Sequence, residues 1–118
     1  MRQFPGGLDR VVMAAVFAVG FGGIGTARAD DVPRFDLILK DHKFTPAELH
    51  IPSGKRADLH VHNQDNTAEE FDSSALKVEK VIPAGASAVV RLRPLAPGRF
   101  PFMGEFHPQT ARGVVVAE

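Results

Sequence analysis

From residue 34 onward no stretch of this sequence sustains a 3.6-residue apolar period. Short alternating or densely apolar runs instead recur about every ten residues, between Pro, Gly and Asn/Asp breaks. That rhythm predicts an all-β chain. Strands are expected at 34–40, 48–51, 56–62, 77–82, 87–92, 99–103 and 113–117. In the third run Ala57, Leu59 and Val61 share one face, with Asp58, His60 and His62 on the other, as in a half-buried strand. The segment 67–75 is polar and short and is expected to be a loop or a single helical turn. Seven short strands at this spacing make a sandwich or a small barrel.

The first thirty residues follow a different rule. Arg2 and Arg10 flank a polar start, an apolar run covers 11–24, and Ala27 and Ala29 supply the small residues of a cleavage site. The run is shorter than the roughly twenty residues a membrane-spanning helix needs, and Gly20, Gly22, Gly23 and Gly25 weaken it further. Residues 1–29 are therefore expected to be a cleaved secretory signal, with no stable membrane insertion afterwards. Residues 30–118 then form one domain of 89 residues with a net charge of about −2.

Composition excludes several functions. With 44% hydrophobic and 24% charged residues the chain has the means to fold. Fourteen basic residues against fourteen acidic ones leave no positive field for a phosphate backbone, so nucleic acid is not expected as a partner. There is no Cys, hence no disulfide, no thiolate-bound metal and no Cys nucleophile. No catalytic triad or phosphate-binding loop is discernible.

Five landmarks stand in order along the chain: Phe44-Thr45-Pro46, Ile51-Pro52-Ser53-Gly54-Lys55, Asn63-x-Asp65, Gly98-x-Phe100-x-Phe102 and the terminal Gly113-Val-Val-Val. In this the chain resembles the cupredoxins, over about residues 34–117, which implies a Greek-key β-sandwich of about seven strands. In copper-carrying members of that family a His lies two residues before the Phe held here by Phe71, and a Cys, a second His and a Met follow the Gly-x-Phe-x-Phe strand. Here Glu69 takes the first His place, Gly104 the Cys place, His107 the second His place and Arg112 the Met place. A blue-copper centre needs its thiolate, so a blue-copper electron carrier is excluded.

The stretches Glu69-Glu70-Phe71, Glu79-Lys80-Val81-Ile82-Pro83 and 98–108 (GRFPFMGEFHP) are similar to the small periplasmic cupredoxin-like proteins that accompany bacterial iron permeases, and to the module at the start of EfeO-type proteins. That resemblance implies a periplasmic accessory that binds copper or iron in metal uptake and assists Fe(II) oxidation with a partner, without independent catalytic activity. The expected partner is an iron permease or another periplasmic uptake component. Glu69, Glu105 and His107 are the candidate metal ligands, with Glu70 and Met103 as auxiliaries. Carboxylate, imidazole and thioether donors together suit copper or iron.

Three bland readings stand beside this one. Glu69, Glu70 and Glu105 are solvated loop charges in most proteins, and Arg112 offers a guanidinium that satisfies them without any metal. His60 and His62 read as the polar side of a strand, and His42 and His50 carry no signal of their own. A metal-free interaction module, docking to a permease or partner through the end that carries Phe71, Phe102 and Phe106, is the alternative from a different class.

Overall fold

The computed structural model describes residues 31–118, and the expected signal at 1–29 lies outside them. Nine strands follow one another: β1 (Arg34–Lys40), β2 (Lys43–Thr45), β3 (Glu48–Ile51), β4 (Ala57–Asn63), β5 (Glu69–Ser73), β6 (Val78–Ile82), β7 (Ser87–Leu92), β8 (Gly98–Gly104) and β9 (Arg112–Ala117). They form a four-stranded sheet in the order β2-β1-β4-β7 and a five-stranded sheet in the order β3-β9-β8-β5-β6. The described residues contain no helix.

Alternation dictates which side of each strand is dry. In β4, Ala57, Leu59, Val61 and Asn63 are buried, while Asp58, His60 and His62 are half-buried on the opposite face. Parallel pairing with β1 sets Leu37 beside Val61, and antiparallel pairing with β7 sets Leu59 beside Val90. These residues share one core with Phe71, Ile82, Phe102 and Val115 of the other sheet. Full burial of such side chains contributes roughly 1.5–3 kcal/mol each, which is how so small a domain without disulfides holds together.

Two strands were absent from the expectation. The short hairpin strand β2 has only three residues. The second, β5, corrects the reading of 67–75 as a loop or helical turn: Glu69–Ser73 is an interior strand, flanked by β8 and β6. Its inward residues are Glu69, Phe71 and Ser73, so two of three are polar and the apolar pattern is hidden. Each polar side chain is nevertheless satisfied. The Ser73 hydroxyl donates to the Pro101 carbonyl at 2.6 Å and accepts the Leu76 N–H at 2.9 Å. The bonds of Glu69 belong to the site described below.

At one end of the sandwich Asn63 ties three segments together. Its amide nitrogen donates to the carbonyls of Thr67, Ile82 and Pro83 at 2.9, 3.1 and 3.2 Å, and its oxygen accepts the Asp65 N–H at 3.0 Å. With two N–H groups for three carbonyls, one hydrogen is shared between acceptors, and a buried amide so engaged fixes the loops around it.

On the outer face of the four-stranded sheet, His62 bridges Ser87 Oγ at 2.7 Å and Asp36 Oδ1 at 2.8 Å, and Arg34 also holds Asp36 at 2.9 Å. Hydrogen bonding from Arg34, then from His62, lowers the Asp36 carboxyl to about 2. A carboxyl depressed on folding stabilises the protein above its unfolded value and loses that contribution as pH falls through the folded one. The stability of the protein is therefore expected to decline between about pH 4 and pH 2, with part of that decline absent in Asp36→Asn. Urea midpoints measured across this range for both proteins check it, and identical slopes would contradict it.

Candidate metal centre

Three elements converge beside the Asn63 end. His42 stands in the β1–β2 turn, Glu69 begins β5, and His107 lies in the loop after β8. Beneath them Phe44, Phe71 and Phe102 pack on one another. Phe71 and Phe102 stack at 4.9 Å between ring centres, and Phe44 meets Phe102 edge-on at 5.2 Å. Phe71 and Phe102 each lie two residues along their strand from Glu69 and Gly104, so the period of two that buries these rings directs those positions to the same side, while His42 comes from the turn before the strand of Phe44.

Glu69 is 1% exposed, and both its oxygens are engaged. Oε1 lies 2.6 Å from His107 Nδ1, while Oε2 accepts the N–H of Phe106 at 2.7 Å and of Glu70 at 3.1 Å. Room for this carboxylate comes from Gly104. A Cβ there would sit 2.6 Å from Glu69 Cδ and 2.8 Å from Ala111 Cβ, closer than atoms pack. The glycine is needed here for close approach rather than for backbone freedom.

The loop that carries His107 is folded back on itself. The His107 N–H donates to the Gly104 carbonyl at 3.1 Å, the His107 carbonyl accepts the Ala111 N–H at 2.9 Å, and the Gly104 N–H donates to the Ala111 carbonyl at 2.8 Å. The His42 ring then stacks on the His107 ring, with centroids 3.6 Å apart and planes 16° from parallel. One donor atom each from His42, Glu69 and His107 lies within 4.8 Å of the other two. An ion with bonds of about 2.1 Å holds tetrahedral donors roughly 3.4 Å apart. The Glu69 Oε1–His107 Nδ1 distance of 2.6 Å is shorter than that spacing, so an ion shared by these two atoms would require them to part.

Asp65 borders the site. Burial pushes its carboxyl up, but the backbone N–H groups of His42 and Asp41, helped by the charges of His42 and Lys40, leave it below the usual carboxylate range.

The five residues singled out from sequence fall into two places. Glu69 and His107 meet directly. Glu70, Met103 and Glu105 do not join them. Glu70 alternates to the outer face of β5, and Met103, half-buried between the inward Phe102 and Gly104, lines a surface depression with Asp72 and Arg112. Glu105 is exposed, and the charges of Asp72 and Glu70, followed by partial desolvation, push its carboxyl up. These acids repel one another on the outside of the five-stranded sheet. Arg112 donates to the Pro108 carbonyl at 2.7 Å, and among the described residues it has no ion pair within 4.0 Å. The guanidinium alternative for Glu69 is thus met by His107 and two backbone N–H groups instead.

His42 is the site residue that sequence reasoning missed. No local pattern marked it, because it lies in the two-residue turn between β1 and β2, outside the strand alternation.

Two imidazoles and a carboxylate fit a copper or iron ion, and the lack of any Cys excludes a thiolate-ligated one.

Comparison with known proteins agrees with the fold. The chain is 37% identical over 87 residues to an uncharacterized protein of Rickettsia prowazekii (strain Madrid E), covering 74% of this chain and 70% of that one. Among solved structures it is similar to auracyanin A, a "blue" copper protein from Chloroflexus aurantiacus, with a TM-score of 0.63 and 11% identity over 75% of this chain and 100% of that one. It is also similar to the metal-binding domain of the Streptococcus pneumoniae D39 Cu(I)-exporting P-type ATPase CopA, with a TM-score of 0.59 and 18% identity over 72% of this chain and 84% of that one. At such identities these likenesses show the fold. The model of the cupredoxin-like domain family matches residues 11–117, and the chain belongs to that family.

Proposed function

We propose that this protein is a periplasmic accessory of metal uptake that takes up a copper or iron ion between His42, Glu69 and His107. The observation that carries the reading is the buried Glu69 carboxylate set against His107 and roofed by the stacked His42, three donors within 4.8 Å. A buried carboxylate beside two imidazoles suits a divalent cation, because the ion's charge compensates the acid where water is excluded. The similarity of 98–108 and of the Glu69-Glu70-Phe71 segment to cupredoxin-like proteins of iron permease systems supports a role in iron uptake, with an iron permease or another periplasmic uptake component as partner. Any assistance to Fe(II) oxidation depends on that partner or on dioxygen, since no second redox centre is legible in the sequence.

A second reading keeps the fold as a metal-free module that docks to such a partner. What favours it is Phe106, which is 50% exposed at the rim of the site, although Phe71 and Phe102 are buried in the core and offer nothing to a partner.

Calorimetric titration with Cu(II) and with Fe(II) separates the two. The expected outcome is micromolar or tighter binding of at least one ion, weakened at least tenfold by both Glu69→Gln and His107→Ala. Absence of heat with either ion, or heat unchanged by both substitutions, favours the docking module.

A further inference from the structure

The β1–β2 connection is a two-residue loop, because Lys40 pairs directly with Lys43. Its residues, Asp41 and His42, have φ of 52° and 58°. Two left-handed residues in succession are what the twist of a tight hairpin demands; Asp and His reach that region more readily than most side chains, but it is still uncommon for any residue other than glycine. Something must hold this turn.

The Asp65 side chain does so from the end of another strand. Its Oδ1 accepts the Asp41 N–H at 2.6 Å and its Oδ2 accepts the His42 N–H at 2.9 Å. The clamp is itself anchored, since the Asp65 N–H donates to Asn63 at 3.0 Å and the Asp65 carbonyl accepts the Gly85 N–H at 3.1 Å. Only 10% of the Asp65 side chain is exposed. The His42 ring presents a buried Nδ1 with no hydrogen-bond partner, 3.4 Å from Asp65 Oδ2.

We infer that Asp65 is the positioning residue of the site: its carboxylate fixes the left-handed turn that lays His42 over His107, and it receives the Nδ1–H of His42 when Nε2 binds an ion. A carboxylate behind a ligating imidazole orients the ring and raises its basicity, and loss of such a partner typically lowers metal affinity 10–100-fold. The metal half of this inference rests on the ion-binding reading above. The positional half does not.

The test has two arms, each using the protein and its Asp65→Ala and Asp65→Asn variants. In the metal-free protein, nuclear Overhauser contacts between the His42 and His107 ring protons are expected, and they are expected to vanish in both variants while the amide spectrum remains dispersed. Retention of those contacts in both variants overturns the positional role whatever the protein binds. In the second arm Cu(II) is added, and pulsed electron paramagnetic resonance counts the coordinated imidazoles. Two are expected in the parent and one in each variant, with affinity reduced 10–100-fold. Two imidazoles in all three proteins, with affinities within threefold, overturn the role of Asp65 and leave the site standing. A parent that binds Cu(II) without imidazole overturns the site, and with it the metal half of the inference.

Discussion

Gly104→Ala is expected to destabilise the protein by about 1–3 kcal/mol, the usual cost of forcing a methyl group into a filled interior. The added carbon would meet the Glu69 carboxyl group at 2.6 Å and Ala111 at 2.8 Å, and neither neighbour is free to retreat. Glu69 is held by three hydrogen bonds, and Ala111 is fully buried and bonded through its backbone to both His107 and Gly104. If Glu69 moves instead, the N–H groups of Phe106 and Glu70 lose their acceptor, which costs a comparable amount. The collision also dictates a partner. Shortening the acid by one methylene in Glu69→Asp makes room for the new methyl, so the double variant is expected to be more stable than the sum of the single effects allows. Urea denaturation of the two single variants and the double one measures the coupling. Additivity within about 0.5 kcal/mol would mean that the two positions do not compete for the same space.

Phe71→Ala is expected to cost about 3–5 kcal/mol. The ring is wholly buried, stacks on Phe102 and meets Phe44 edge-on at 6.1 Å, so its removal leaves a cavity between the two sheets. For a domain of this size such a loss lowers the melting temperature by roughly 15 °C or more, and it takes a large share of a total stability that is about 5–15 kcal/mol in ordinary domains. The effect also reaches the site. Phe71 is two residues from Glu69 on the same face of β5, and the aromatic trio aligns the elements that carry His42, Glu69 and Gly104. Thermal melts of Phe71→Ala and Phe71→Leu check this, with the leucine variant expected to recover part of the loss. A shift of only a few degrees in Phe71→Ala would show that the trio is not what holds the sheets together.

Much of the fold was legible because apolar alternation is a direct image of burial. The runs at 34–40, 48–51 and 87–92 appear as β1, β3 and β7 with the expected bounds, and Ala57, Leu59 and Val61 face the core as the pattern of β4 requires. The interior strand β5 was illegible for the converse reason. Its buried positions include a glutamate and a serine whose polarity is offset by partners distant in sequence, Phe106, His107 and Pro101 among them, and no local pattern encodes those.

The site was legible in part. Glu69 and His107 were singled out by their register with a known ligand arrangement, and they lie 2.6 Å apart. Glu70 and Met103 were grouped with them by closeness along the chain, but adjacent strand residues point to opposite faces, and Glu105, in the turn just past β8, is exposed. The same period of two that buries Phe71 and Phe102 separates Glu70 from Glu69 and Met103 from Gly104. His42 reaches the site through a turn clamped by Asp65, 23 residues away, and a single sequence does not reveal that pairing.

The claim that one ion is held jointly by these three side chains is tested by Cu(II) calorimetry on the protein beside His42→Ala, the member of the set not foreseen from sequence. Binding with one ion per chain in the parent, weakened at least tenfold in the variant while the fold is kept, is the predicted result. Equal affinity in the two proteins would place any bound metal elsewhere and contradict the proposed centre.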